Sequence, residues 1–452
     1  MAIAIVLVLL IVGTVLFHFL SPWWFTPIAS NWTSIDDTIS ITFWVTGFVF
    51  VAVNLFMAYA AFRFRHREGR RAHYEPENKK LEWWLIGFTT VGVVAMLAPG
   101  LVVWGKFVNV PENAAVVEAI GQQWHWSYRF PGKDGVLGTV DSRFVSDANP
   151  FGMNPDDPNG KDDVLISSSE VHIPINQPVK VLLRSKDVLH DFAVAQFRVK
   201  MDMVPGMVPY IWFTPTRTGK FDILCEELCG IGHFTMRGKF VVEEDAAFQK
   251  WLSGYPTYAQ SAAQIAGDAA AGKPLFAVCS SCHGMEGEGN LALHAPKLSG
   301  QADWYLKRQL KHYKQGIRGA HEQDVFGKMM APMAATLVDD AAISNVVAYI
   351  RTLPDHSAAA TAPKSTSSGQ HRYVTNCGIC HGTNGQGIQA MNAPRLAGMS
   401  DWYMVTQLKN FKQRIRGAHP DDQYGDQMTL MAATLADDQV TNDLVTYINT
   451  LR

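Results

Sequence analysis

From residue 273 to the C-terminus the chain is written twice. A shift of 98 positions carries Cys279-Ser280-Ser281-Cys282-His283 onto Cys377-Gly378-Ile379-Cys380-His381. The same shift carries Asp303-Trp304-Tyr305 onto Asp401-Trp402-Tyr403, and Arg318-Gly319-Ala320-His321 onto Arg416-Gly417-Ala418-His419. Met333-Ala334-Ala335-Thr336-Leu337 lands on Met431-Ala432-Ala433-Thr434-Leu435, and no gap is needed anywhere. A gapless repeat of this length predicts two copies of one helical domain. Residues 273–355 form the first, 370–452 the second, and the Ser/Thr/Ala/Pro-rich stretch 356–369 is the linker.

Each copy carries C-x-x-C-H, the attachment signature of c-type haem. The two thiols bond the porphyrin and the adjacent imidazole ligates iron. The reading is therefore two covalently bound haem c groups, on Cys279, Cys282 and His283 and on Cys377, Cys380 and His381. The repeat also narrows the second axial ligand. Met329 faces Gln427 across the shift and drops out if the copies are alike, leaving Met330 with Met428 or Met333 with Met431. His321 and His419 read as solvated imidazoles. Lys311, Lys314 and Arg318, copied as Lys409, Lys412 and Arg416, read as a solvated basic helix face.

The remaining cysteines form one more close pair, in Cys225-Glu226-Glu227-Leu228-Cys229-Gly230-Ile231-Gly232-His233-Phe234-Thr235-Met236. Three close pairs point to metal or cofactor attachment rather than a disulfide framework. Thiolate, imidazole and thioether together select copper among biological metals. Zinc would leave Met236 idle. Two thiolates suffice for two sulfur-bridged coppers, and His190 supplies a distant imidazole. Around this loop, strands are predicted at 116–120, 164–166, 179–183, 210–213 and 238–242, with 221–224 leading into the metal loop. Short strands between Pro, Gly and Asn/Asp clusters predict a β-sandwich or barrel over 108–245.

Upstream the chemistry gives way to hydrocarbon. Three stretches, 2–20, 39–62 and 83–105, are apolar enough to span a bilayer. The loop between the second and third carries Arg63, Arg65, Arg67, Arg70, Arg71, Lys79 and Lys80, so it is expected on the cytoplasmic side and the soluble domains outside. Residues 1–30 read as a signal peptide or a retained span, and 31–107 as a transmembrane helical hairpin. Tryptophans 23, 24, 32, 83, 84 and 104 read as interfacial belts. Glu82 stands at the cytoplasmic mouth of the third span, where an ionisable group is able to feed protons to a partner. With 39 basic against 41 acidic residues, nothing favours a nucleic-acid partner.

Residues 30–245 resemble subunit II of haem-copper cytochrome c oxidases. The family pattern of Cys, Glu, Cys, His and Met at offsets 0, 2, 4, 8 and 11 falls on Cys225, Glu227, Cys229, His233 and Met236. The resemblance implies a cupredoxin domain with a dinuclear CuA centre held by these residues and His190. Glu227 would offer its backbone carbonyl to copper and its side chain to a magnesium site facing subunit I. Gly121-Gln122-Gln123-Trp124-His125-Trp126-Ser127-Tyr128 is similar to the family's aromatic stretch, so Trp124 is expected to receive electrons. Gln122 and His125 depart from the family's His and Tyr. Glu82 falls where the family has the mouth of a proton channel. The repeated domains resemble the halves of cytochrome c4, which implies Met330 and Met428 as axial ligands and Met333 and Met431 as core.

The fold expected is thus multidomain: transmembrane helices, an all-β cupredoxin domain, a tether at 246–272 with a short helix near 246–252, and two all-α cytochrome domains. The function implied is that of an oxidase subunit II, relaying electrons from an external cytochrome or cytochrome-reducing complex through the haems to CuA and on to subunit I. Subunit III is a further expected partner, and the expected site is the bacterial cytoplasmic membrane with the soluble domains outside. The CuA subunit of a nitric oxide reductase and a free-standing membrane electron carrier share these motifs.

Overall fold

The computed structural model describes residues 2–21, 26–71, 74–145, 149–262, 267–361 and 367–451. Trp23 and Trp24, and parts of both linkers (263–266 and 362–366), lie outside the described residues.

Three helices open the chain: α1 (Ala2–Leu20), α2 (Thr33–Arg63) and α3 (Lys79–Val108). All three are long and apolar enough to cross a membrane. Asn78 caps α3 by accepting from the Leu81 amide, and Glu82 lies exposed in its first turn, where a carboxylate complements the helix dipole.

Trp32 is not an interfacial residue. It is 2 % exposed, its indole donating to the Trp212 carbonyl at 2.9 Å, while the Trp212 indole donates to the Phe107 carbonyl at 2.8 Å. Burying a large aromatic side chain contributes about 3 kcal/mol. Beside it, Arg198 pairs with Asp36 at 2.7 Å. The outer ends of α2 and α3 are thereby locked to the soluble domain that follows.

That domain is a sandwich of two five-stranded sheets. Its strands are β1 (Ala115–Gln122), β2 (His125–Phe130), β3 (Val164–Ile166), β4 (Glu170–Pro174) and β5 (Val179–Ser185), then β6 (His190–Val194), β7 (Val199–Met203), β8 (Tyr210–Phe213), β9 (Gly219–Leu224) and β10 (Arg237–Glu243). The orders are β3-β2-β1-β5-β8 and β4-β10-β9-β6-β7. Between the sheets Phe192, Phe197, Phe213 and Phe240 are fully buried. Arg129, buried on β2, bridges Glu118 at 2.9 Å and Asp163 at 2.8 Å.

The segment expected as a tether begins as part of this sandwich. Helix α4 (Asp245–Leu252) lays Phe248 on Phe130, and Trp251 stacks on His172 at 4.3 Å. After it, α5 (Tyr258–Ala262) is joined by hydrogen bonds from the Tyr258 and Ala259 amides to the Asp163 and Lys161 carbonyls.

The repeat folds as two helical domains. The first has α6 (Ala269–His283), α7 (Asp303–Lys314), α8 (Val325–Ala335) and α9 (Asp340–Ile350). The second opens with α10 (Ser367–Arg372) and a π-helical turn running into α11 (Gly378–His381). It continues with α12 (Asp401–Lys412), α13 (Gln423–Ala433) and α14 (Asp438–Ile448). Asp324 and Asp422 cap α8 and α13 identically, accepting from Gly327 and Gly425 at 3.0 Å.

Candidate redox sites

The loop after β9 folds back so that the Cys225 amide donates to the Met236 carbonyl at 3.2 Å. This closure gathers the predicted ligands. Cys225 Sγ lies 3.7 Å from Cys229 Sγ and 3.3 Å from the Glu227 carbonyl oxygen. Cys229 Sγ lies 3.4 Å from His233 Nδ1 and 3.9 Å from Met236 Sδ. His190, the first residue of β6, brings Nδ1 to 4.0 Å from Cys225 Sγ. Both cysteines are free thiols, not a disulfide, and the ligand atoms of His190, Cys225 and Cys229 fall within 4.8 Å of one another in a buried cluster.

The protonation pattern suits a soft cation. The bond from Cys229 pulls the Cys225 thiol down to about 3 against its burial, helped by His190, and the same bond with burial pushes Cys229 up. The pair thus favours one thiolate beside one thiol, and a bound cation would take the place of the remaining proton. Asp187 Oδ1 lies 2.8 Å from His190 Nε2, which leaves Nδ1 free to ligate. Burial alone would lower the His190 pKa, but its bonds to Asp187 and Cys225 raise it. Two thiolates, two imidazoles, a thioether and a carbonyl fit a dinuclear copper centre.

Trp124 covers this loop. It is 5 % exposed, and its indole donates to the Cys229 carbonyl at 3.2 Å. Gln123 donates to the same carbonyl at 2.8 Å. Glycine is required beneath it, since a Cβ on Gly232 would come within 2.4 Å of the Trp124 ring.

The second cytochrome domain docks on the other side of Trp124. Gln427 donates to the Trp124 carbonyl at 3.0 Å. Tyr424 places its hydroxyl 3.4 Å from His125 Nε2, and Cys380 and Met431 pack against the sandwich core. His125, one of the departures from the family pattern, is the residue that meets Tyr424. Burial, and secondarily the Lys186 charge, lower its pKa to about 3, so it is neutral here.

Trp124 also lines the apolar cavity that holds Cys377, Cys380, His381 and Met428. The matching cavity of the first domain holds Cys279, Cys282, His283 and Met330. His283 Nδ1 lies 2.7 Å from the Pro296 carbonyl and His381 Nδ1 2.8 Å from that of Pro394. A carbonyl only accepts, so each Nδ1 carries the proton and each Nε2 is open for iron. Burial lowers both imidazole pKa values, keeping them neutral. Met329, Met330 and Met333 all line the first cavity, and Met428 and Met431 the second. Met333 is 42 % exposed and Met431 packs on the neighbouring sandwich. Both nonetheless face the cavity of their own domain, beside Met330 and Met428.

The basic face expected to be solvated is so at its lysines, Lys314 and Lys412 being exposed, but not at its arginines. Arg318 and Arg416 are 7 % and 8 % exposed and cross between the two domains. Arg318 donates to Tyr403 at 2.5 Å and to Gln309 at 2.6 Å, and Arg416 donates to Tyr305 at 2.9 Å and to Gln407 at 2.8 Å. Both line the haem cavities, and the buried Nε of each has no partner. A buried guanidinium with a free donor requires an anion. The carboxylate arms of haem fit that requirement in both domains. Tyr305, Gln309, Tyr403 and Gln407 line both cavities, so a shared layer of side chains separates them.

Comparison with known proteins agrees with this geometry. The family described as cytochrome c oxidase subunit II, periplasmic domain, matches residues 115–244, and the cytochrome c family matches residues 269–354 and 367–452. The chain is 63 % identical over 259 residues to an alternative cytochrome c oxidase subunit 2 of Bradyrhizobium diazoefficiens, covering 57 % of this chain and 94 % of that relative. It is 30 % identical over 230 residues to a cytochrome c oxidase subunit 2 of Cereibacter sphaeroides, covering 46 % and 74 %. Among solved structures, cytochrome c4 of Pseudomonas stutzeri is 28 % identical, with a TM-score of 0.33, over 41 % of this chain and all of that one.

Proposed function

The chain belongs to the cytochrome c oxidase subunit 2 family, and from that premise we propose that it carries electrons in one direction, from the first cytochrome domain to the second and then across Trp124 to copper. It is a membrane-anchored subunit of an oxidoreductase complex, with its copper domain outside, and it relays electrons from haem c to CuA. Haem c and CuA supply reversible one-electron storage when bound. The chain's own residues hold, orient and shield those groups.

His283 with Met330, and His381 with Met428, hold the two irons, with Cys279, Cys282, Cys377 and Cys380 as thioether anchors. His190, Cys225, Glu227 through its carbonyl, Cys229, His233 and Met236 hold the copper pair. The carboxylate of Glu227 completes a magnesium site with subunit I. Glu82 opens the proton path on the opposite side of the membrane, and subunit III joins the same complex. The chain resides in the bacterial cytoplasmic membrane, and its donor is an external cytochrome or a cytochrome-reducing complex.

One observation supports this order of sites. Trp124 donates to Cys229, a copper ligand, and accepts from Gln427 beside the second haem cavity. The first domain supplies no residue to the contacts described around Trp124 apart from the cavity wall it shares. Rapid mixing of the oxidised full chain with a reductant tests this. Trp124→Leu should slow copper reduction at least ten-fold while both haems are reduced at the normal rate. Copper reduced at the normal rate in that variant would overturn the route.

A further inference from the structure

The two cytochrome domains are copies, so whatever surface one uses exists on the other. The second domain meets the copper domain through Tyr424, Gln427 and Met431. The repeat places Phe326, Met329 and Met333 at those positions in the first domain. All three stand on the rim of the first haem cavity, 41 %, 60 % and 42 % exposed, with no residue of the copper domain described against them. They are also more apolar than their counterparts. Tyr424 and Gln427 make polar contacts with the copper domain, whereas Phe326 and Met329 have no polar side-chain group to offer.

The apolar character continues around them. Leu291, the counterpart of Gln389, is 49 % exposed. Between Val325 and Val338 the only charged residue is Lys328, and between Gly289 and Ala295 there is none. His294 stacks on Phe326 at 3.9 Å, holding that ring in place at the mouth of the first haem cavity.

We propose that this rim, centred on Phe326 and Met329, is the docking surface for an external protein donor whose own cofactor edge is framed by apolar, nearly uncharged side chains. The proposal rests on the direction of flow given above. The argument is one of equivalence: the same face of the same fold already serves as a redox interface within this chain. On the second domain that face is polar and matched to one permanent partner. On the first it is apolar and open, as suits a partner that docks and leaves. Long-range charge steering has little to act on there, so docking depends weakly on salt.

The test uses the full chain in its oxidase complex, with a reduced monohaem cytochrome c of uncharged haem edge as the probe. Ascorbate with a small phenylenediamine mediator is the parallel donor. Val325→Glu and, separately, Leu291→Glu, both exposed beside the rim and outside the cavity lining, should raise KM for the cytochrome at least ten-fold and leave turnover with the mediator unchanged. For the unaltered chain, raising salt from about 20 to about 200 mM should change that KM less than three-fold. Unchanged KM in both variants, or a KM that rises more than ten-fold with salt, would overturn the proposal. Equal slowing with the mediator would also overturn it, since that would mark damage to the domain rather than to docking. Trp124→Leu in the same assay should lower kcat with both donors and leave KM alone. If it lowers neither, the route to copper fails while the docking result stands by itself.

Discussion

Gln427 donates its side-chain amide to the backbone carbonyl of Trp124 at 3.0 Å, joining the second cytochrome domain to the residue that covers the copper loop. The bond is small in energy, about 1 kcal/mol net, but it fixes register at a redox interface. Gln427→Leu combined with Tyr424→Phe should therefore leave haem content and copper content intact and slow haem-to-copper transfer three-fold or more. Stopped-flow spectra that follow the haem and copper bands separately check this.

Asp187 sets the tautomer of His190. Partners of this kind typically account for 10–100-fold in metal affinity. Asp187→Ala should weaken copper binding by roughly that factor without unfolding the sandwich, measured by competition against a copper chelator with circular dichroism as the control.

His125 is buried and neutral, its pKa lowered to about 3 chiefly by desolvation. The unfolded chain protonates this imidazole near 6.5, so the contribution is present above that pH. It is lost as pH falls from about 6.5 towards 3, by up to about 1.4 kcal/mol per pH unit. The thermal midpoint of the copper domain should fall over that window, and His125→Asn should flatten the part of the slope that carboxylates do not account for. An identical slope in the variant would show that His125 is not the titrating group.

Met330 and Met428 are proposed as axial ligands. Met330→Leu and Met428→Leu should each remove about half of the near-infrared sulfur-to-iron charge-transfer band and lower one haem potential. The double variant should remove the band altogether. A full band in Met428→Leu would transfer the role to Met431.

Much of this was legible in the sequence, because it is local chemistry. Apolar runs became α1, α2 and α3, and the copper loop and both C-x-x-C-H motifs carry their ligands within a few residues. Strands β2, β4, β6 and β7 have no counterpart among the expected strands; β2 and β6 are buried along their whole length, so they lack the alternation that marks a half-exposed strand. Arg318 and Arg416 depart from the solvated face because α7 ends at Lys314, and α12 at Lys412, before the spacing of the lysines reaches them. Beyond each helix end the chain turns, and the arginine points into the other domain.

The docking of the second domain on Trp124 was hidden for a different reason. It depends on differences between the copies. The repeat is interrupted at six positions of this one helix, and two of them, Phe326 with Tyr424 and Met329 with Gln427, are the ones that meet the copper domain. That asymmetry, together with the unusual His125, is the signal the sequence carries for this interface.

The lock formed by Trp32, Trp212 and Phe107 has a kinetic consequence. The copper domain is fixed to its membrane hairpin, and the second cytochrome domain is carried on the same chain. The last donor is therefore always within reach of its acceptor, at an effective concentration in the millimolar range for a short tether. Delivery to copper becomes a first-order event, indifferent to how much soluble carrier the cell makes. Only the outermost step still obeys the law of mass action.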